Sequence, residues 1–214
     1  MPYDNIIVDF DGTITDSRKD IARAQLWALE RVGVRGFREE DLYPFIGSPL
    51  DETFRQLLPP VMFDRIDEAS ALYSEYYPSR SLLTTTLFPG VRPTLERLRS
   101  LGKRVAVAST KRGAGILRAT DHFGITQLFD RLQGSDGIPF KPDPAIIRVI
   151  LEAEGWDAGG TIMVGDTAMD VMAGKNAGVA TVGVTYGAMS EDQIQAAGPD
   201  FIISEFSALV PLVE

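Results

Sequence analysis

Asp9 and Asp11 stand two residues apart, directly after the apolar run Ile6-Ile7-Val8, and Gly12 follows them. In an extended chain, positions i and i+2 point to the same side, so the two carboxylates share one space. Held together they repel, and such a pair relaxes by keeping a proton or by sharing a cation. Gly12 lets the backbone turn abruptly out of the strand. One carboxylate of the pair can attack a phosphorus atom while its neighbour moves protons. Asp-x-Asp-Gly also occurs as a plain turn or a calcium-type loop, so the motif alone leaves catalysis open.

Three further groups add to it. Asp166 and Asp170 lie at i and i+4 in GDTAMD, after another apolar run. A helix starting near Thr167 turns both acids toward one crevice. Asp is also common at helix N-termini, and for Asp170 taken alone capping is the simpler reading. Asp9, Asp11 and Asp166 together offer hard oxygen ligands, which suit Mg2+ with its few carboxylates, waters and substrate oxygens. Ser109 and Thr110 end the run RVAVA, where hydroxyls and backbone N–H groups can hold phosphoryl oxygens or simply cap the next helix. Lys141, in KPDP, can neutralise charge developing on a phosphoryl group, although a lone loop lysine is ordinarily solvated.

The elements that must position these residues are buried strands. Asn5 to Phe10, Arg104 to Ala108, Thr161 to Val164, Ala180 to Val184 and Phe201 to Ile203 are short runs apolar on both faces, with a weaker one near Leu128 to Leu132. Helical patterns lie between them: Leu95, Leu98 and Leu101 share one face, and Ile146, Ile147, Ile150 and Leu151 another. This alternation predicts an α/β fold with a doubly wound, Rossmann-like parallel sheet. Ligands bind such sheets beyond the carboxyl ends of the strands. VDFDGT, VAVAST and IMVGDT all place their polar residues there.

The segment 16–85 interrupts the alternation. Ser17, with Asp20 as its capping-box acid, predicts a helix that Gly33 ends. Leu50 to Leu58 and Phe63 to Tyr77 predict two more, stopped by Pro59-Pro60 and by Pro78. The expected organisation is an α/β core over 1–15 and 86–214, with an all-helical cap inserted at 16–85. Trp27, Trp156 and most Phe and Tyr residues read as core.

The 214 residues are 44% apolar, enough for one core carrying an inserted domain. A formal net charge of −9 repels polyphosphate backbones and argues against nucleic acid as a partner. The absence of cysteine excludes disulfides, thiolate metal sites and cysteine nucleophiles. No basic stretch leads into an apolar run at the N-terminus, and no apolar run approaches the roughly 20 residues of a membrane span. The expected location is the cytoplasm.

DFDGT at Asp9 to Thr13, AST at Ala108 to Thr110, KPDP at Lys141 to Pro144 and GDTAMD at Gly165 to Asp170 resemble, in order and spacing, the four motifs of the haloacid dehalogenase-like hydrolase superfamily. The resemblance covers essentially the whole chain, and the helical insert is similar to that family's type 1 cap. It implies a role for each residue. Asp9 would be the nucleophile and a metal ligand. Asp11 would be the general acid–base, with its backbone carbonyl on Mg2+. Ser109 would bind the transferring phosphoryl group, with the Thr110 backbone assisting. Lys141 would stabilise charge on Asp9 and the phosphate. Asp166 would ligate the metal, and Asp170 would orient a metal-bound water or Lys141.

The resemblance also implies a reaction: phosphoryl transfer from a small phosphorylated metabolite to Asp9, then hydrolysis of the aspartyl phosphate. The second acid, Asp11, speaks against dehalogenation, because a leaving halide needs no proton. FIGSPLDETF, Phe45 to Phe54, resembles a cap segment of phosphoglycolate phosphatase-like and pyrophosphatase-like members, and favours phosphoglycolate. Pyrophosphatase and nucleotidase activity remain alternatives. A β-phosphoglucomutase-type mutase is a smaller one, since the single histidine, His122, lies far from the cap hinge. A signalling receiver or a non-catalytic phosphate-binding module on the same fold is the alternative outside enzymes. Arg18, Lys19, Arg23 and Arg55 are candidate anion contacts that read more simply as a solvated face.

Overall fold

A computed structural model describes residues 3–214. The chain divides into two compact units, one holding the chain up to Asp16 together with Leu87–Glu214, the other holding Ser17–Thr86.

The strands are β1 (Asn5–Val8), β2 (Thr15–Asp16), β3 (Thr86–Leu87), β4 (Arg104–Ala108), β5 (Arg131–Gln133), β6 (Thr161–Gly165), β7 (Ala180–Val184) and β8 (Phe201–Ile203). The helices are α1 (Arg18–Arg31), α2 (Glu39–Leu42), α3 (Leu50–Leu57), α4 (Ile66–Tyr76), α5 (Val91–Ser100), α6 (Gly113–His122), α7 (Ala145–Glu154), α8 (Ala168–Ala177), α9 (Glu191–Ala197) and α10 (Leu209–Val213). Six strands form one parallel sheet in the order β5-β4-β1-β6-β7-β8, and β2 and β3 form a two-stranded one. The expected doubly wound α/β sheet is therefore present.

β1 is central because its two faces are equally apolar. Ile6, Ile7 and Val8 are fully buried. Ile7 joins Ala106, Ala108 and Met163 under Ile146, Ile147, Ile150 and Trp156, so α7 and α8 cover this face. The register pairs Val8 with Val107 and with Val164, which brings the ends of β1, β4 and β6 level. The residues that follow these three strands are therefore neighbours in space, although nearly the whole chain separates them.

The helical unit has its own core. Ala28 and Leu29 of α1 pack with Leu42, Phe54, Leu57, Ile66 and Ala69. Local structure here departs from expectation in two places. The stretch expected as one helix from Phe63 divides into a 3-10 turn over Pro60–Arg65 and α4, with Met62 in a non-helical conformation. Ser17 occupies the N-cap position of α1 at ψ 4°, outside the extended conformation of an ordinary N-cap, and makes no side-chain cap, while the Asp20 carboxylate is engaged elsewhere. Asp20 accepts hydrogen bonds from the backbone N–H and hydroxyl of both Thr84 and Thr85 at 2.7–3.2 Å.

Asp20 is thus the clasp between the first helix and the end of the helical segment. Burial alone would raise its pKa, but the Thr84 and Thr85 hydrogen bonds outweigh burial and hold the carboxyl below its ordinary value. A depressed carboxyl stabilises the fold above its unfolded pKa, and that contribution is lost as pH falls through the folded one. Asp20→Asn presents an amide to facing donors and should cost about 2–4 kcal/mol. Urea unfolding of the variant checks this, and an unchanged midpoint would refute the clasp.

Candidate active site

The acids at the strand ends converge. Asp9 follows β1 and Asp166 follows β6; both are buried, as is Asp170 in the first turn of α8. Among the described residues, one carboxylate oxygen from each of these three lies within 4.8 Å of the others. Lys141 sits among them. Its Nζ donates to Asp9 Oδ1 at 2.7 Å, to Asp170 Oδ1 at 2.5 Å and to the carbonyl of Ala108 at 3.1 Å. Its three hydrogens therefore have three acceptors, from the ends of β1 and β4 and the start of α8.

Each acid is held by a second contact. Asp166 Oδ1 accepts from the Thr13 hydroxyl and its Oδ2 from the backbone N–H of Ala188, both at 2.8 Å. Gly12, at φ +91°, turns the chain back over Asp166; a Cβ there would lie 2.1 Å from Oδ2. The Tyr186 hydroxyl donates to the Thr13 carbonyl, fixing the same loop from the other side. Asp170 is bifunctional. Its Oδ2 closes a capping box with Thr167 while its Oδ1 faces Lys141.

Burial and like charge dominate the electrostatics. Burial pushes the Asp9 carboxyl well above its ordinary value; Lys141 works against this, and Asp170 and Asp166 add to it. Asp166 is pushed up to about 7, first by burial and then by Asp170, with Ala188, Thr13 and Lys141 opposing. Lys141 is disfavoured as a cation by burial, yet Asp170 and Asp9 outweigh this and raise it. A cluster that crowds carboxylates until they hold protons suits a divalent cation, since hard oxygens already converge and the cation would relieve their repulsion.

One consequence concerns stability. With no metal bound, folded Asp166 keeps a proton up to about pH 7. The unfolded chain releases that proton near pH 4, by an order-of-magnitude reference. A raised carboxyl contributes stability below its unfolded pKa, which is lost as pH rises through the folded one. The Tm measured in EDTA should therefore fall between roughly pH 4 and pH 7 and level off above that, and Mg2+ should restore more of it at the upper end. A Tm in EDTA that rises over this interval would contradict the charge balance described.

The other expected residues are placed differently. Asp11 stands outside the carboxylate cluster; its Oδ2 accepts from Lys111 Nζ at 2.7 Å. Asp9 and Asp11 therefore face different lysines, and the carboxylates that raise Asp9 are Asp170 and Asp166. The sheet ends at Val8, so the extended spacing that would align Asp9 with Asp11 does not continue through them. Ser109 is buried, its Oγ accepting from the Lys111 backbone N–H at 3.2 Å. The Thr110 carbonyl accepts from the Ser135 hydroxyl at 2.6 Å. Among the candidate anion contacts, Arg23 pairs with Glu39, Arg18 lies over the Tyr43 ring and Arg55 over the Phe63 ring. His122 is exposed near the end of α6.

Thr13 and Lys111 were not singled out from the sequence. Thr13 lies inside DFDGT, and a hydroxyl directly after a tight glycine is a signal for a bond back to the site. Lys111 follows Ser109-Thr110 directly, a cation at a strand end that carries polar groups.

Comparisons with known proteins agree with this geometry. Residues 6–184 match the haloacid dehalogenase-like hydrolase family. The chain is 32% identical over 206 residues to the pyrophosphatase PpaX of Bacillus velezensis, covering 96% of this chain and 94% of that one. It is 30% identical over 216 residues to the phosphoglycolate phosphatase of Vibrio parahaemolyticus, covering 97% and 95%. A haloacid dehalogenase-like family hydrolase from Streptococcus pneumoniae superposes with a TM-score of 0.90 at 25% identity, covering 99% of both chains. With three motifs at the ends of the adjacent strands β4, β1 and β6, Lys141 of the fourth bonded among them, and the match running through all four, this chain belongs to the haloacid dehalogenase-like hydrolase family, as one of its phosphatases.

Proposed function

We propose that the protein is a Mg2+-dependent phosphatase of small phosphomonoesters, phosphoglycolate-like ones first, working through an aspartyl phosphate on Asp9. The observation that carries this reading is the meeting of Asp9, Asp166 and Asp170 around the Lys141 ammonium. Asp9 and Asp166, with the Asp11 backbone carbonyl, would hold the ion. When bound, Mg2+ supplies charge neutralisation toward the phosphoryl oxygens.

The chain's own residues do the rest. An ionised Asp9 needs no base to act as nucleophile; its obstacle is repulsion by the phosphate. Lys141 offsets that repulsion and aims Asp9 by binding its Oδ1. Oδ2 of Asp9 then attacks phosphorus as the ester P–O bond breaks, and Asp11 gives its proton to the departing oxygen. Asp11, now ionised, takes a proton from the water that cleaves the acyl phosphate, so phosphate leaves and both acids return to their starting state. Ser109 steadies the transferring phosphoryl group. Asp170 positions Lys141 rather than touching substrate. The helical unit Ser17–Thr86 is read as the cap of the family.

Phosphoglycolate leads because FIGSPLDETF resembles the phosphoglycolate phosphatase-like segment and several relatives carry that name, while pyrophosphatase relatives support pyrophosphate as the second reading. A panel of phosphoglycolate, pyrophosphate, nucleoside monophosphates and sugar phosphates, assayed for phosphate release with Mg2+ and again with EDTA, tests both. The expected result is release with Mg2+, abolished reversibly by EDTA, and fastest with phosphoglycolate. Release unaffected by EDTA would refute the metal-dependent reading, and a faster pyrophosphate reaction would refute the substrate order.

A further inference from the structure

The geometry points to Lys111 as a positioning residue for the carboxylate of Asp11. This deepens the reading above and rests on the proton-transfer role it gives Asp11.

Lys111 stands two residues past Ser109, where the chain leaves β4 for α6. Three of its groups are tied to the site. Nζ donates to Asp11 Oδ2 at 2.7 Å, the backbone N–H donates to Ser109 Oγ at 3.2 Å, and the backbone carbonyl accepts from the Ser135 N–H at 3.3 Å. The Lys111 and Asp11 side chains are each 11% exposed, against 76% and 36% for the surface pair Arg38–Asp41. An exposed pair fluctuates and fixes little. A nearly buried pair with a short bond holds both side chains in one arrangement.

The stem of the lysine has its own track. Gly115 lies in α6, and a Cβ there would fall 3.2 Å from Lys111 Cγ and 3.4 Å from Cδ. Glycine inside a helix costs roughly 1 kcal/mol relative to alanine. Here it leaves the width that the lysine stem occupies on its way to Asp11.

The two acids of the DFD sequence are therefore held by separate cations, Asp9 by Lys141 and Asp11 by Lys111. Fixing one oxygen of Asp11 fixes the direction of the other. Proton delivery to a departing oxygen depends on that direction, and a misplacement of about 1 Å can cost about 100-fold. Lys111 acts here through Asp11, which alone meets the leaving oxygen.

Aryl phosphates test this, because the need for a proton can be varied without changing the phosphoryl group. p-Nitrophenolate departs readily without one, whereas phenolate, with a pKa near about 10 by analogy with tyrosine, needs one. The measurement is first-turnover release of the phenol from p-nitrophenyl phosphate and from phenyl phosphate, with Mg2+ present. In Lys111→Met, phenol release is expected to slow about 10–100-fold, in the saturating first-turnover rate rather than in KM, while p-nitrophenol release stays within a few-fold. Lys111→Arg, which keeps a donor cation, should recover part of the loss. Gly115→Ala keeps every charge and asks the lysine stem to shift by a few tenths of an ångström, so whatever loss it causes should fall on phenol release and spare p-nitrophenol release. Equal loss for both esters, a change in KM alone, or no change in Lys111→Met would overturn the assignment. A wild-type protein that releases neither phenol, or an Asp9→Asn variant as active as wild type, would instead overturn the parent reading.

Discussion

Asp9→Asn is expected to lower turnover by about 10⁴-fold or more, since the variant keeps the shape of the side chain and loses the nucleophile. The size of the effect follows from what is left. Lys141 still donates to Asp170 and to the Ala108 carbonyl, and Asp166 keeps its Thr13 and Ala188 contacts. The site is assembled, but nothing in it can form a bond to phosphorus. The same change should cost little stability. Burial already pushes the Asp9 carboxyl far up, so its ionised form is expensive in the fold, and a neutral amide removes that cost. The paired outcome to measure is phosphate release close to background with a Tm in EDTA at or above that of the wild type. Substantial release would mean another group attacks phosphorus. A collapse of Tm would mean Asp9 is needed by the fold, and loss of activity would then say nothing about chemistry.

That split between a legible fold and a partly hidden site runs through the molecule. β1, β4 and β6 could be read because strands buried on both faces are unbroken apolar runs, and polar residues at their ends must then lie along one edge. The helical unit was harder. Ser17 and Asp20 have the spacing of a local cap, but Asp20 finds four donors at Thr84 and Thr85, some 64 residues on. Tertiary hydrogen bonds to a buried carboxylate outweigh one local cap, and no short window of sequence contains them. The pairing of Asp11 with Lys111 was hidden for a similar reason. It follows from β4 lying beside β1, a matter of strand order, which spacing along the chain does not express. Asp170 shows the opposite limit. Capping and function looked like competing readings, and the carboxylate serves a cap with one oxygen and a lysine with the other.

Lys141→Met should be the most damaging change outside the nucleophile, and it separates two tasks of one ammonium. Nζ sits between Asp9 and Asp170 with its side chain only 4% exposed. Removing one partner of such a buried set leaves uncompensated charge, at about 3–5 kcal/mol. The carboxylates can escape that cost only by binding protons, which raises Asp9 further. The loss of stability in EDTA should therefore be small near pH 5 and grow toward pH 8. Catalysis should fall by about 10²–10³-fold at any pH, because no cation then offsets charge between Asp9 and the phosphate. The double variant Lys141→Met with Asp170→Asn removes the cation and one anion together. It should regain most of the stability and almost none of the activity, an interaction energy visible in a double-mutant cycle for unfolding but absent from the one for turnover. If the double variant regained activity as well, Lys141 would be there only to neutralise Asp170, and charge stabilisation of phosphoryl transfer would have to come from elsewhere in the site.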